Sequence, residues 1–363
     1  MRLSDNSRPK HPQDVNRILI YRLGSIGDMV VSLPCFHLVR RCYPDAEITL
    51  LTNQPVESRA APAASILDGS GLVDKYLAYP VQTRSVKVLA GLVRSIRSLN
   101  PDLLIYLIPR SSLFQVVRDY VFFHLAGVRS AVGYPFRGGL RRLRPPASEN
   151  GYWEPESGRL ARCIVALGDA ETGQTQSWDL NLSAAEIADA DRLLERPLNG
   201  DGTRMDLIGL SVGTKQARKD WGDGNWRRVL ADIMRKDMGL VLLGSGEERS
   251  RCDAISSDWP GAVFNLCGSA TPRVSAAVMK QLQFLLCIDS GPMHLASAAG
   301  ARCVAVFTQH DLLGKWFPFG SGHRILYPGE RGGNAELIEP ETVIKAAQEF
   351  LSAPRVIVKE LSP

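Results

Sequence analysis

"RILIYRLGSIGDMVVSLP", residues 17–34, runs an apolar stretch into a turn holding Gly24, Gly27 and Asp28, with a helical pattern beyond. A buried strand passing through a glycine turn into a helix opens a βαβ unit, and so a parallel sheet. A helix N-terminus of this kind ordinarily welcomes an anion, because its free N–H groups and dipole attract negative charge. Asp28 would repel a phosphate there. The spacing of Gly24 and Gly27 also departs from G-x-G-x-x-G, as does that of Gly244 and Gly246, whose third position is Arg249. Both failures argue against a nicotinamide enzyme. They leave open what the Asp28 carboxylate faces.

Outward from this turn the first half alternates strands with helical patterns. Residues 17–21, 47–52 and 102–108 read as strands, and Ile26 to Tyr43 as one helix. Residues 129–146 break the pattern with five arginines, three glycines, three prolines and no acid, and are expected to form a mobile loop. Residues 184–195 read as a helix and "RPLNGDGT" as a linker-like run. The alternation then restarts, with strands expected at "DLIGLSV", "LVLLG", "AVFNLCG", "FLLCID" and "RCVAVF". Thr271 and Pro272 are placed to cap and open a helix. The expected fold is therefore α/β, with two Rossmann-like open parallel-sheet domains, 1–182 and 183–345, facing a central cleft. Residues 346–363 form a tail that packs back on the first domain.

The chain has 363 residues, 45% hydrophobic and 22% charged, as in soluble globular proteins. Its start is polar and proline-interrupted, unlike a secretory signal, and no apolar run reaches the ~18 residues a bilayer span needs. A cytoplasmic protein is expected, with a membrane surface as a further station. Seven scattered cysteines without a C-x-x-C pair argue against disulfides and a zinc site, and Cys287 and Cys303 read as buried thiols. Residues 1–180 carry 22 Lys and Arg against 16 Asp and Glu, whereas the rest is close to neutral. A basic first half suits an acidic partner, and it also suits a merely solvated surface. No nucleic-acid partner is expected.

The second half holds groups suited to a nucleoside diphosphate. "SVGTKQARKDWGDGNW" gathers Thr214, Lys215, Arg218 and Lys219 after a strand, followed by Trp221 and Trp226 flanking a glycine turn. A solvated basic turn would account for the charges but not for the tryptophans. Glu247, after "LVLLGSG", is placed either to accept from ribose hydroxyls or to complement a helix dipole. In "CIDSGPMH", Asp289 ends a strand, Ser290 and Gly291 open a helix, and His294 lies one turn in. Free amides there would hold a phosphate.

Through "LGSIGD", "KDWGDGNW" and the long run from "LCGSATPRVSAAVMKQL" to "GARCVAVF", the chain resembles the glycosyltransferase family 9 proteins, such as the ADP-heptose:lipopolysaccharide heptosyltransferases. The resemblance covers most of the chain and implies a GT-B fold, with acceptor on the first domain and nucleotide-sugar on the second. It implies that Asp28 is the general base facing the acceptor hydroxyl, with Arg22 a basic group beside it and Gly24 and Gly27 shaping the acceptor turn. Lys219, Thr214 and Lys215 fall on the diphosphate, Glu247 on the ribose, and Asp289, Ser290, Gly291 and His294 by the diphosphate and sugar. Acceptors in that family are lipid-linked, often phosphorylated saccharides at the inner face of the membrane, so Arg141 and Arg142 are expected to meet acceptor phosphate or anionic lipid. The reaction implied is inverting, without a metal or other cofactor. The nearest D-x-D, Asp189 and Asp191, lies on an expected surface helix. Lys215 and the tripeptide "KDW" depart from the best-known heptosyltransferases and leave the sugar and acceptor open. A nucleotide-sugar 2-epimerase and a non-catalytic binding module are the rival readings.

Overall fold

The computed structural model describes residues 14–54, 63–80, 83, 85–148, 151–195, 205–308, 312–329 and 332–352. The chain divides into two compact units, 1–183 with 312–317, and 184–311 with 318–363. The short return of 312–317 to the first unit departs from the expected boundaries. It is held by backbone bonds from Trp153 N to the Leu313 carbonyl (2.8 Å) and from Glu156 N to the Lys315 carbonyl (3.0 Å).

In the first unit, β1 (Arg17–Tyr21), β2 (Glu47–Asn53), β3 (Lys75–Tyr79), β4 (Leu103–Tyr106) and β5 (Ala131–Val132) form one parallel sheet in the order β3-β2-β1-β4-β5. Its helices are α1 (Ile26–Val30), α2 (Leu33–Cys42), α3 (Ala64–Leu67), α4 (Val86–Leu99), α5 (Leu113–Leu125), α6 (Gly138–Arg141) and α7 (Glu156–Cys163). The single helix expected over 26–43 is two. Pro34 has no N–H to give Val30 and its ring crowds that carbonyl, so the helix breaks and restarts at Ser32. Leu19, Leu104, Tyr106, Val116 and Phe123 centre one core of this unit.

Residues 129–146 are not the mobile loop expected. They hold β5 and α6, and the Tyr134 ring stacks on Tyr106 at 4.5 Å. The missing acid comes from Glu154, which accepts from the Arg144 backbone N–H (2.9 Å) and from Arg162 Nε and Nη2 (both 2.6 Å). Partial burial works to raise the Glu154 carboxyl, and these donors outweigh it and hold the group below its usual range.

The second unit's sheet is also parallel, in the order β11-β10-β9-β6-β7-β8. Its strands are β6 (Asp206–Ser211), β7 (Met238–Leu242), β8 (Val263–Asn265), β9 (Phe284–Ile288), β10 (Arg302–Val306) and β11 (Arg324–Leu326). Its helices are α8 (Ala184–Leu194), α9 (Asp223–Ile233), α10 (Arg249–Ile255), α11 (Pro272–Met279), α12 (Gly291–Ala298) and α13 (Pro340–Ser352). Both sheet faces are covered, so the strands read as near-continuous apolar runs. Thr271 Oγ1 accepts from Val274 N (3.2 Å), capping α11. α13 packs on α9, and Val343, Ala347 and Phe350 enter the core of the second unit. Residues 346–352 thus finish a core helix instead of returning to the first unit as a tail. Residues 353–363 lie outside the described residues. All seven cysteines are free thiols, and six, including Cys287 and Cys303, are buried.

Candidate functional site

Each sheet has one place where strand order reverses, between β1 and β4 in the first unit and between β6 and β9 in the second. Open α/β sheets bind ligands outside the carboxyl ends of strands at such switch points. Some of the residues singled out in the sequence gather at each.

At the first switch point the chain leaves β1 through Arg22 and turns at Gly24. The Gly24 φ of +143° lies where side chains are strained, and a Cβ there would fall 2.2 Å from the Asp28 Cβ. Glycine is required because the Asp28 side chain folds back over that position. Asp28 Oδ2 accepts from the Ser25 backbone N–H (2.8 Å) and from Ser25 Oγ (3.1 Å), so this oxygen caps α1. Oδ1 is 3.5 Å from Arg22 Nη2, and the side chain is 30% exposed. One oxygen is held by Ser25, and the other has only the long contact to Arg22. Gly27 is buried inside α1.

Arg22 lies beside Asp28, as the resemblance implied, but away from the surface. It is fully buried, and it donates from Nη1 to the Leu107 carbonyl (3.1 Å) and from Nη2 to the Asp28 carbonyl (3.0 Å). The guanidinium therefore ties the ends of β1 and β4 to α1 from behind and positions Asp28, out of reach of an acceptor. Asn53, which the sequence reading did not single out, accepts from Gly24 N through Oδ1 (2.7 Å) and pins the same turn.

Around this edge lies a network that sequence reasoning also missed. Three strands end on tyrosine, at Tyr21, Tyr79 and Tyr106. Tyr21 and Tyr79 share a hydroxyl–hydroxyl bond (2.7 Å) and Tyr106 donates to Asp119 Oδ2 (2.7 Å). Arg110 Nε (2.9 Å) and Arg118 Nη2 (2.7 Å) donate to the same buried carboxylate. Burial above all, then the neighbouring phenol or carboxylate, pushes Tyr21 and Tyr106 far above the ordinary tyrosine range. Burial works against the Arg110 charge, and Asp119 together with Tyr106 and Tyr21 more than offsets it. The repeated strand-end tyrosine was the available signal.

At the second switch point Lys219 Nζ donates to Asp289 Oδ2 (2.5 Å), bridging the segment after β6 to the end of β9. Their side chains are 12% and 7% exposed, which makes this a largely buried pair. Ser290 caps α12 with an extended backbone, and Gly291 opens the helix. The Ser290 Oγ is buried without a hydrogen-bond partner, as are Ser211 Oγ at the end of β6 and Thr308 Oγ1 just after β10. Three orphan hydroxyls therefore stand at the ends of three adjacent strands. Thr214 Oγ1 accepts from Gln216 N (3.1 Å) in a tight turn, and Lys215 is exposed beside it.

Other expected residues fall differently. His294 is buried in the first turn of α12. Glu247 is exposed, while its neighbour Glu248 caps the turn by accepting from Ser245 N (2.6 Å). A Cβ on Gly213 would lie 1.6 Å from Glu248 Oε1, so the carboxylate fills the space glycine leaves. Trp221 and Trp226 meet edge to face at 4.6 Å, and Trp221 Nε1 donates to the Ile338 carbonyl (2.8 Å). They anchor the "KDWGDGNW" segment in the core. Arg141 Nη1 serves its own turn, donating to the carbonyls of Pro135 (3.0 Å) and Phe136 (2.5 Å), and Arg142 is exposed. Asp189 pairs with Arg192, and Asp191 accepts from Gln281 (3.0 Å). Among the described residues no group of three or more His, Cys, Asp or Glu is placed to hold a metal ion.

Two parallel-sheet α/β units of this kind define the GT-B class of glycosyltransferase folds. Residues 163–330 match the model of glycosyltransferase family 9 (heptosyltransferase). Lipopolysaccharide heptosyltransferase 3 of Escherichia coli is 22% identical over 312 residues, 80% of this chain and 82% of the relative. Lipopolysaccharide core heptosyltransferase OpsX of Haemophilus influenzae is 20% identical over 175 residues, 48% of each chain. The crystal structure of a family 9 glycosyl transferase from Veillonella parvula aligns with a TM-score of 0.69 at 19% identity, covering 93% of this chain and 97% of that one. Escherichia coli ADP-heptose lps heptosyltransferase II aligns with a TM-score of 0.62 at 18% identity, covering 92% and 98%. Residues 163–330 thus resemble glycosyltransferase family 9, and over most of its length the chain is similar to heptosyltransferases in sequence and fold.

Proposed function

We propose that this enzyme moves a heptose from ADP-heptose to a hydroxyl of a lipopolysaccharide-core or related glycan acceptor, with inversion at the anomeric carbon. The observation that carries the reading is the Lys219–Asp289 pair across β6 and β9, beside the orphan Ser290 hydroxyl at the start of α12. A buried cation, a free hydroxyl and helix-terminal amides at one switch point suit a diphosphate. Relatives named for ADP-heptose and lipopolysaccharide chemistry support the donor and acceptor.

In this reading Asp28 Oδ1 takes the proton from the acceptor hydroxyl while Ser25 holds Oδ2. The freed oxygen pair attacks the anomeric carbon, and the bond from that carbon to the diphosphate breaks, leaving ADP. Lys219, Thr214, Lys215 and the Ser290–Gly291 amides neutralise the charge that grows on the departing diphosphate. Asp289 holds Lys219 in place, and Glu247 takes the ribose. The enzyme acts on a lipid-linked acceptor at the cytoplasmic face of the inner membrane.

The test incubates the protein with ADP-heptose, with and without a lipopolysaccharide-core acceptor, and follows ADP and the donor sugar. Acceptor-dependent ADP release with inverted product is expected. An epimerised donor without acceptor, or an untouched donor, would overturn the reading.

A further inference from the structure

Eight of the thirteen residues of α5 are leucine, valine or phenylalanine, and only some of them are covered. Val116, Asp119 and Phe123 point into the first unit, whereas Leu113, Phe114, Val117, Val121 and Leu125 are exposed, Phe114 to 75% and Leu125 to 61%. The spacing 113, 117, 121, 125 draws one continuous stripe along the helix, with Phe114 beside it. Five of the thirteen large apolar side chains exposed among the described residues sit on these thirteen residues. Single exposed hydrophobics are ordinary; a contiguous stripe marks an interaction surface.

The charges beside the stripe select its occupant. Arg118 is exposed on the helix, and Arg129 Nη1 lies 3.0 Å from the His124 ring at its end. Arg97 Nη2 donates to the Leu125 carbonyl (2.7 Å), closing the same end. Between residues 110 and 130 the one acid is Asp119, which is buried and already paired with Arg110 and Arg118. A second copy laid on this face would set arginine against arginine with no carboxylate to answer. Anionic headgroups over acyl chains answer both the cations and the apolar stripe. At thirteen residues the helix is about 20 Å long. It is too short to cross a bilayer, which takes ~20 apolar residues, and suited to lying in its surface.

We infer that the outer face of α5 docks the first unit onto an anionic lipid surface. The inference extends the proposed glycolipid acceptor but does not depend on it, because it rests on the exposed stripe and its charges alone. The test floats the full chain, without donor or acceptor, on phosphatidylcholine vesicles with and without phosphatidylglycerol at about 0.05 and 0.5 M salt. The native chain should float with the anionic vesicles, less so at high salt. Phe114→Ser with Leu125→Ser should lose about tenfold in binding at both salts. Arg129→Ser should lose binding mainly at low salt. The melting temperature and sedimentation of each variant separate surface loss from misfolding. Native chain that stays unbound, equal binding to neutral vesicles, or full binding by the double variant would each overturn the inference. So would a native dimer that the double variant turns into a monomer.

Discussion

The two switch points are built from the same strand–turn–helix pattern and treat their polar groups in opposite ways. At the edge of the first sheet the groups satisfy one another: Tyr21 with Tyr79, Tyr106 and Arg110 with Asp119, Arg22 with two carbonyls, and one Asp28 oxygen with Ser25. Left over there are the buried Thr52 hydroxyl near the end of β2 and the second oxygen of Asp28, which has only Arg22 at 3.5 Å. At the edge of the second sheet Lys219 and Asp289 are paired, but the hydroxyls of Ser211, Ser290 and Thr308 are not. Buried polar groups in native proteins are nearly always satisfied, so leftovers clustered at one edge point to a ligand that supplies their partners. The first edge is largely self-satisfied, whereas the second leaves three neighbouring hydroxyls without partners.

The sharpest way to break this comparison is Asp28→Asn. The amide oxygen still accepts from Ser25, so the cap survives while the base is lost. Turnover should fall about 10²–10⁴-fold with melting temperature and ADP affinity unchanged. Unchanged turnover would reduce Asp28 to its capping role. Lys219→Ala attacks the other edge. Hydrogen bonds to charged groups contribute roughly 1.5–3 kcal/mol, so ADP affinity should weaken about 10–100-fold, with AMP much less affected. Equal losses for both ligands in calorimetry would move Lys219 away from the terminal phosphate.

Gly24→Ala tests whether the first edge is as tightly built as described. A methyl group in a left-handed conformation, pressed on Asp28, should cost about 1–3 kcal/mol and several degrees of melting temperature. A variant as stable as the native chain would mean the turn relaxes freely. The tyrosine network gives a pH signature. Burial raises Tyr21, Tyr106 and Tyr134 above the ordinary tyrosine range. These groups ionise first in the unfolded chain, so their contribution to stability holds below about pH 10 and is lost above it. Denaturant midpoints measured on both sides of that pH should show the fall, and a flat profile would contradict the buried network. Smallest of all should be the stability effect of Ser290→Ala, within about 0.5 kcal/mol, because that hydroxyl has no protein partner to lose. A larger loss would show that the hydroxyl is already bonded.

Much of this was legible in the chain. The strand at 17–21, the glycine turn and the restart of alternation after residue 205 follow from apolar runs and turn formers, which act locally. Pro34 announced a break in the first helix that the continuous apolar periodicity concealed. What sequence could not give was set by distant partners. Glu154 reaches back ten residues to order the arginine segment, and residues 312–317 return to the first unit across more than a hundred residues. Burial separated residues that look alike on paper: Arg22 and His294 go inside, while Glu247 and Lys215 stay out. α5 shows the converse. Its apolar residues do not by themselves tell which face is left uncovered; only packing does.

If the second unit's switch point holds a nucleoside diphosphate, titration of ADP and AMP into the native chain will show it. ADP should bind at least about tenfold more tightly than AMP, since Lys219, Ser290 and the opening amides of α12 meet the second phosphate. Equal affinity for the two, or no binding of either, would contradict the account.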